Sequence, residues 1–180
     1  FRGIVKTFLN IRGFARRSIL WTESADGFEW TMPKPALIPD LQDEAWTEGH
    51  EGYHTQFYGM PIFRYEGMLI GLLQVFRCTD GANSSDGSVD VQLAYSRDGK
   101  HWHRAEDRTT VLERGDKGTW DWGVVHTGNS LVMDGDTVRT YYTGFNCGHG
   151  NHSIPAEGKK VCIGTASWPR DRLVGLLANT

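Results

Sequence analysis

The stretch that decides the fold reads Ser-Ala-Asp-Gly-Phe-Glu-Trp at residues 24–30 and returns as Ser-Arg-Asp-Gly-Lys-His-Trp at residues 96–102. Asp-Gly between two strand-like runs is a strong hairpin signal, because glycine takes positive φ at little cost and aspartate bonds nearby backbone amides. A weaker third copy lies at residues 166–173. The spacing predicts a repeat of about 72 residues, in which each copy joins the third and fourth strands of one unit.

A second repeating feature lies between these turns. Residues 63–72 read as a strand, an acidic-glycine turn and a second strand, and residues 130–142 repeat that order. We interpret each as the first and second strands of successive units. The seven Trp, six Tyr, eight Phe and 22 Gly of the chain agree with many short strands joined by turns. The sequence therefore predicts an all-β protein.

The repeats predict a β-propeller fragment of about three four-stranded blades. We expect a blade remnant at residues 1–38, a complete blade at 56–112 and another at 120–179, all within one partial domain spanning residues 1–180. Propellers close with about four to eight blades, so the remaining blades are expected upstream of this chain. A sandwich of hairpins and a complete, self-associating chain are the alternatives.

Charge and composition exclude several classes of function. A formal net charge of −3 gives no basic footprint for nucleic acid or for anionic lipid. No apolar run approaches the roughly 20 residues of a membrane-spanning helix. Cys78, Cys147 and Cys162 lack metal-type spacing, and the pair His149 and His152 near Cys147 is a weak zinc signal. We therefore expect no metal site and no cofactor, and the cellular compartment stays open.

Some charged residues are assigned to the scaffold instead of a site. The aspartates of the repeated turns, Asp26, Asp98 and Asp171, are expected to cap backbone amides and not to be catalytic. Arg16 and Arg17, with a further arginine at position 12, are expected at a solvated strand edge.

Three further features, together with the repeated turns, carry a resemblance to a known family. They are the stretch Phe-Tyr-Gly-Met-Pro-Ile-Phe-Arg-Tyr-Glu-Gly at residues 57–67, Thr-Trp-Asp at 119–121 and Tyr-Tyr-Thr-Gly at 141–144. From about residue 11 to residue 178, the chain resembles the five-bladed propeller glycosidases, which are the glycoside hydrolases of the family 32, 43 and 68 type and their poorly characterised relatives. The resemblance implies an axial pocket with three acidic residues on inner strands: a nucleophile or base, a transition-state stabiliser and a general acid.

Two acids are the predicted catalytic residues. Glycoside hydrolysis usually needs two carboxyl groups. Asp121 is the first candidate because Trp120 and Trp122 flank it, and aromatic rings both suit sugar C–H surfaces and raise the pKa of a nearby carboxyl. A structural role for Asp121, capping its loop, is equally open. Glu51 is the second candidate, with Glu48 similarly placed, and each is alternatively a solvated loop residue.

Polar and aromatic residues around these acids are the predicted substrate-binding set. His54, Gln56 and Tyr58 alternate along the chain and therefore share one face of a strand. The whole set is His54, Gln56, Tyr58, Trp120, Trp122, His126, Thr127 and His149. Tyr58 is alternatively a core residue, and His126 a hydrogen-bonded interior histidine.

The sequence thus predicts a carbohydrate-active propeller that hydrolyses an O-glycosidic bond with paired carboxylates. Its expected partner is a carbohydrate substrate, with neither nucleic acid nor a membrane as partner. The alternative is a non-catalytic propeller that binds glycans or proteins, because a repeat fold by itself does not establish activity.

Overall fold

The computed structural model describes residues 1–81, 85–150 and 155–173, and the all-β prediction is confirmed. Two short 3₁₀ helices, Gln42–Thr47 and Ala156–Gly158, accompany twelve strands in these ranges. The strands are β1 (Arg2–Ile11), β2 (Phe14–Glu23), β3 (Lys34–Leu37), β4 (His54–Gly59), β5 (Ile62–Tyr65), β6 (Met68–Cys78), β7 (Gly87–Ser96), β8 (His103–Arg104), β9 (Thr110–Leu112), β10 (Val124–Asp134), β11 (Thr137–Phe145) and β12 (Val161–Pro169).

The strands form three consecutive antiparallel groups. The first group has the order β1-β2-β3. In the second group β4 and β5 both pair with β6, β6 pairs with β7, and β8 and β9 both pair with β7. The third group has the order β10-β11-β12 and meets the second through one parallel pair, Val124 with Val89. Closure of such groups into a five-bladed ring stays a prediction, as does the division into blades.

The repeated Ser-x-Asp-Gly turns join β2 to β3 and β7 to β8, as the sequence predicts. Asp26 Oδ1 accepts hydrogen bonds from two backbone amides of its turn, at 2.8 and 2.9 Å. Asp98 Oδ1 does the same at 2.9 and 2.8 Å. These amide donors hold the pKa of both carboxyls below its usual range. The third copy begins within the last residues of β12, and residues 151–154 and 174–179 of the predicted last blade lie outside the described residues.

Two-residue turns build further hairpins. Arg12 (φ 53°) and Gly13 (φ 86°) connect β1 to β2, and Glu66 (φ 44°) and Gly67 (φ 77°) connect β5 to β6. Positive φ at both turn positions matches the twist of paired strands. The strand-turn-strand prediction is confirmed here and again at β10–β11.

The second group is packed on both of its faces. Leu73 and Val75 of β6 share a core with Ile19 of the first group. Leu72 and Phe76 point the other way and share cores with Val125 and Val124, respectively, of the third group. Because successive strand residues face opposite sides, β6 is buried between its two neighbours.

Buried ion pairs hold the 3₁₀ helix Gln42–Thr47, which lies between the first two strand groups, in place. Arg104 donates to both carboxylate oxygens of Asp43, at 2.7 and 2.8 Å, with both side chains almost fully buried. Arg16 is 3% exposed and pairs with Glu44. The expectation of a solvated strand edge is therefore wrong for Arg16, because the 3₁₀ helix Gln42–Thr47 brings a carboxylate over it.

No helix in the described part of the chain is long and apolar enough to cross a membrane.

Candidate functional site

A polar cluster forms where the three strand groups meet, and we call Lys6, Arg17, Tyr58, His126 and His149 the Tyr58 cluster. These residues come from β1, β2, β4, β10 and the segment that follows β11. Their side chains contact one another through a hydrogen bond, ring contacts and cation–π contacts. Tyr58, His126 and His149 belong to the predicted substrate-binding set, and the structure brings these three together.

A hydrogen-bond chain fixes the ring of His149. Its Nδ1 donates to the carbonyl oxygen of Ser85 at 2.6 Å, so that nitrogen carries the proton. Its Nε2 then accepts from the hydroxyl of Tyr58 at 2.9 Å. The backbone amide of His149 also donates to the carbonyl of Gly87 at 2.8 Å, which fastens this segment to the start of β7.

His126 presents a ring nitrogen to the cluster. Its Nδ1 donates to Gln74 Oε1 at 3.0 Å, and its ring lies 5.0 Å from the ring of Tyr58. Burial, with the nearby His149 and Lys6, lowers the pKa of His126 to about 4. The ring is therefore neutral near pH 7, and its Nε2 lone pair is available to accept a proton or a hydrogen bond.

Two cations lie over the ring of Tyr58. Lys6 Nζ is 4.2 Å from the ring centroid, and Arg17 Cζ is 5.1 Å from it. Cations are attracted to the face of an aromatic ring at such distances. Partial burial and the charge of Arg17 lower the pKa of Lys6.

His54 and Gln56 lie behind Arg17, fully buried. Gln56 Oε1 accepts from Arg17 Nη1 at 2.7 Å and from its backbone amide at 3.2 Å. Gln56 Nε2 donates to His54 Nε2 at 2.9 Å, and His54 Nδ1 donates to the carbonyl of Gly52 at 2.8 Å. Burial lowers the pKa of His54, which keeps the ring neutral. Since neither side chain reaches the surface, this pair acts by holding Arg17.

Asp121 has a separate environment. Its Oδ2 accepts from the Tyr142 hydroxyl at 2.8 Å and its Oδ1 from the Thr119 hydroxyl at 3.1 Å, and it is 9% exposed. Burial and the hydrogen bond to Asp121 raise the pKa of Tyr142 to about 12. Trp120 stacks on Tyr142, with ring centroids 5.5 Å apart. The carboxylate is thus held by side-chain hydroxyls from its own loop and from β11.

The faces of β10 separate Asp121 from His126. Thr127 pairs with Tyr142, the partner of Asp121, whereas His126 pairs with Thr143. Adjacent strand residues point to opposite faces, so His126 and Asp121 lie on opposite sides of this sheet. Thr127 is buried and lies between Asp121 and His126. It pairs with Tyr142, the partner of Asp121, and it lies 3.4 Å from the amide nitrogen of Gln74, the partner of His126.

Glu51 and Trp122 lie apart from the Tyr58 cluster. Glu51 is exposed in the turn before β4, and Glu48 is exposed too. Trp122 lines a different groove of about 530 Å³ with Asp90 and a loop of charged residues. Burial raises the pKa of Asp90, whose carboxylate pairs with Arg77 at 3.1 Å.

No group of three or more His, Cys, Asp or Glu side chains gathers into a metal site within residues 1–81, 85–150 and 155–173. His152, the other histidine of the weak zinc signal, lies outside these ranges.

The sequence analysis did not identify three residues of the site: the cations Lys6 and Arg17, and Gln74, whose side-chain amide binds His126. Lys6 shares its strand, β1, with one other charged residue, Arg2, and Gln74 reads as an interior strand residue. Arg17 could have been found from strand alternation, because it faces the opposite side from its buried neighbour Arg16.

Comparisons with known proteins identify a shared fold. No family model matches the chain, and no curated protein matches it. An N-acetylgalactosamine deacetylase from F. plautii, solved in complex with blood group B trisaccharide, matches with a TM-score of 0.60 at 16% identity, over 94% of this chain and 46% of that protein. A glycoside hydrolase matches with a TM-score of 0.53 at 14% identity, over 99% of this chain and 44% of that protein. A third solved structure, an RGII complex, matches with a TM-score of 0.54 at 14% identity, over 99% of this chain and 44% of that protein. The chain thus spans less than half the length of each of these structures and shares their fold over that part.

Proposed function

We propose that this chain is part of a carbohydrate-active five-bladed propeller that hydrolyses an O-glycosidic bond, and that the Tyr58 cluster binds the sugar. The observation that carries the proposal is the convergence of Tyr58, His126 and His149 from separate elements at one place. The fold shared with a glycoside hydrolase and with a deacetylase solved with a trisaccharide supports the same class of ligand.

The cluster has the chemistry that sugar recognition requires. Sugar hydroxyls both donate and accept, and their C–H surfaces pack on aromatic rings. His126 Nε2 offers an acceptor, while the Lys6 ammonium offers donors beside the ring of Tyr58. Phe76 supports the ring of Tyr58 edge-on at 5.9 Å and is itself fully buried. Polar groups at an aromatic wall are typical of small-ligand pockets.

Hydrolysis needs carboxyl groups in addition to this cluster. Asp121 is the acid that we propose from this chain, with Glu51 as the second. Because neither contacts the Tyr58 cluster, the saccharide would extend beyond the cluster to reach them. Asp121 is nearly buried and bound by two hydroxyls, which suits a fixed negative charge that stabilises a developing positive charge. Since the chain spans less than half of its structural neighbours, we place a further acid in a part of the propeller outside it.

A non-catalytic, glycan-binding propeller is the second candidate, and one observation favours it. Within the described part of the chain, the side-chain hydrogen bonds of Tyr58, His126 and His149 join them to each other, to Gln74 and to a backbone carbonyl, not to a carboxylate. A site of this kind binds a sugar without cleaving it.

A turnover and binding assay separates the two candidates. The protein is incubated with a panel of 4-nitrophenyl glycosides and oligosaccharides, while sugar binding is measured by calorimetry. The hydrolase proposal expects turnover that Asp121→Asn abolishes and binding that Tyr58→Phe weakens. Tyr95→Phe is the matched control, because Tyr95 is an exposed tyrosine of β7 that stacks on His103, away from the cluster. Binding without turnover of any bound sugar contradicts hydrolysis and leaves the binding function.

A further inference from the structure

We propose that the sugar bound at the Tyr58 cluster carries a negatively charged group, and that Lys6 and Arg17 recognise it. This inference rests on the proposed function and names its substrate class: acidic saccharides, such as those with a uronate carboxylate, in preference to neutral ones.

The position of Lys6 is the first observation. Its Nζ lies 4.2 Å from the Tyr58 centroid, and the side chain is exposed at the edge of the cluster. Within the described part of the chain, no carboxylate oxygen lies within 4.0 Å of this ammonium group. The other lysine that lies over a ring at short range, Lys100, pairs with Glu23 at 2.8 Å. Among the described residues, Lys6 is therefore a cation aimed at a ring without an acidic partner.

Arg17 adds a second positive charge at the same ring. Its guanidinium carbon is 5.1 Å from the Tyr58 centroid and 4.8 Å from that of Phe8. The charge of Arg17 lowers the pKa of Lys6, so the two like charges are close enough to repel. Arg17 has interactions beyond these, and the proposal rests on its position and charge.

A buried network holds Arg17 in this position. Its Nη1 and its backbone amide both donate to Gln56 Oε1, and Gln56 in turn bonds to His54. Both of those side chains are fully buried, and they act as positioning residues. Because Gln56 is neutral, it fixes the guanidinium without cancelling its charge. Such preorganised donors bind an anion without having to rearrange when it arrives.

The surrounding groups favour an anion over a neutral sugar. His126 and His149, which approach Tyr58 from the other side, bring no negative charge. Glu44, an acid beside this part of β2, pairs with Arg16. Asp80 and Asp86 act on Cys78 together with Arg17, so these acids lie near Arg17, whereas among the described residues no carboxylate lies within 4.0 Å of Lys6. An anionic substituent between Lys6 and Arg17 would relieve the repulsion between the two cations.

The test compares matched sugars that differ only in charge. Binding of a uronic-acid oligosaccharide and of its neutral counterpart, with a hydroxymethyl group in place of the carboxylate, is measured by calorimetry at two salt concentrations. We expect the acidic sugar to bind about tenfold more tightly, and the preference to shrink as salt rises. Lys6→Met should remove most of the preference, whereas Lys6→Arg should keep it.

Lys34→Met is the control, since Lys34 is another exposed lysine over a ring, Trp21, and lies outside the cluster. Equal binding of the two sugars, or an acidic preference that survives Lys6→Met in a folded protein, overturns the inference. Tight binding of neutral sugars alone overturns it too, while the proposed function stands. A protein that binds neither sugar overturns both.

Discussion

Tyr58 on β4 and His149, beyond the end of β11, are joined by a hydrogen bond of 2.9 Å that links the second strand group to the third. The Nδ1 of His149 is occupied by the Ser85 carbonyl, so the Tyr58 hydroxyl is the donor. This bond defines the centre of the cluster around which the proposed function is built.

Removing the Tyr58 hydroxyl tests the importance of this bond. Tyr58→Phe keeps the ring under Lys6 and Arg17 but leaves His149 Nε2 without its donor. We expect sugar binding to weaken about tenfold and the free energy of unfolding to fall by about 1 kcal/mol. Calorimetry and urea denaturation measure the two effects. Tyr95→Phe should change neither, and a Tyr58→Phe protein that binds sugar as well as the parent would exclude this hydroxyl from the site.

Replacing Asp121 with Asn separates its chemical role from its structural one. The amide keeps one oxygen acceptor but loses the negative charge, so turnover should be abolished while sugar binding is largely spared. Loss of the carboxylate should also lower the pKa of Tyr142 from about 12 towards its usual value near 10, visible in a spectrophotometric titration.

Tyr142→Phe serves as the companion variant for Asp121, because it removes one hydroxyl donor and keeps the carboxylate. We expect it to retain part of the turnover. If Asp121→Asn lowers the pKa of Tyr142 and leaves turnover unchanged, then Asp121 only fastens its loop to β11.

His126 should make the protein less stable in acid. Its pKa in the folded chain is about 4, below the ordinary 6.5, so the unfolded chain takes up a proton first as the pH falls. The stability present above pH 6.5 is therefore lost as the pH falls through about 4, by about 3 kcal/mol. Burial of His54 adds to the loss in the same direction.

His126→Gln should flatten the fall in unfolding free energy between pH 7 and pH 4, measured by urea denaturation at each pH. His103→Gln is the matched control, because His103 is an exposed histidine of β8. That control should follow the parent curve, and an equally steep curve for His126→Gln would mean that His126 is not buried as described.

The ion pair between Asp43 and Arg104 should be critical for stability. Both side chains are nearly inaccessible, with 2% and 3% exposure, so Asp43→Asn leaves the buried guanidinium with only the more distant and half-exposed Asp40, at 3.8 Å, as a counter-charge. We expect a loss of about 3–5 kcal/mol in the free energy of unfolding. The pair Glu23–Lys100 is much more exposed, and Glu23→Gln should lower the free energy of unfolding far less. Similar losses for the two variants would contradict the buried position of Asp43.

The hairpins were predictable from sequence because their signals are local. Asp26-Gly27 and Asp98-Gly99 each fix a turn within a few residues, and Glu66-Gly67 fixes another. The burial of Arg16 was not predictable, because Glu44 comes from a connection about 28 residues later whose path no local pattern encodes.

The candidate site was predictable only in part, for the same reason. Alternation alone places His54, Gln56 and Tyr58 on one strand face. That the first two are buried depends on packing by β2, and Arg17 comes from that strand, 39 residues before Gln56. The grouping of Asp121 with His126 was suggested by their closeness in sequence, but the pleat of β10 turns them to opposite faces.

The most direct test of the central claim is a crystal structure of the protein soaked with an oligosaccharide that it binds. We predict a sugar ring in contact with Tyr58, a hydroxyl within hydrogen-bond distance of His126 Nε2 and any acidic substituent beside Lys6. A sugar bound elsewhere, for example in the groove beside Trp122, with the Tyr58 cluster left untouched, would contradict the account.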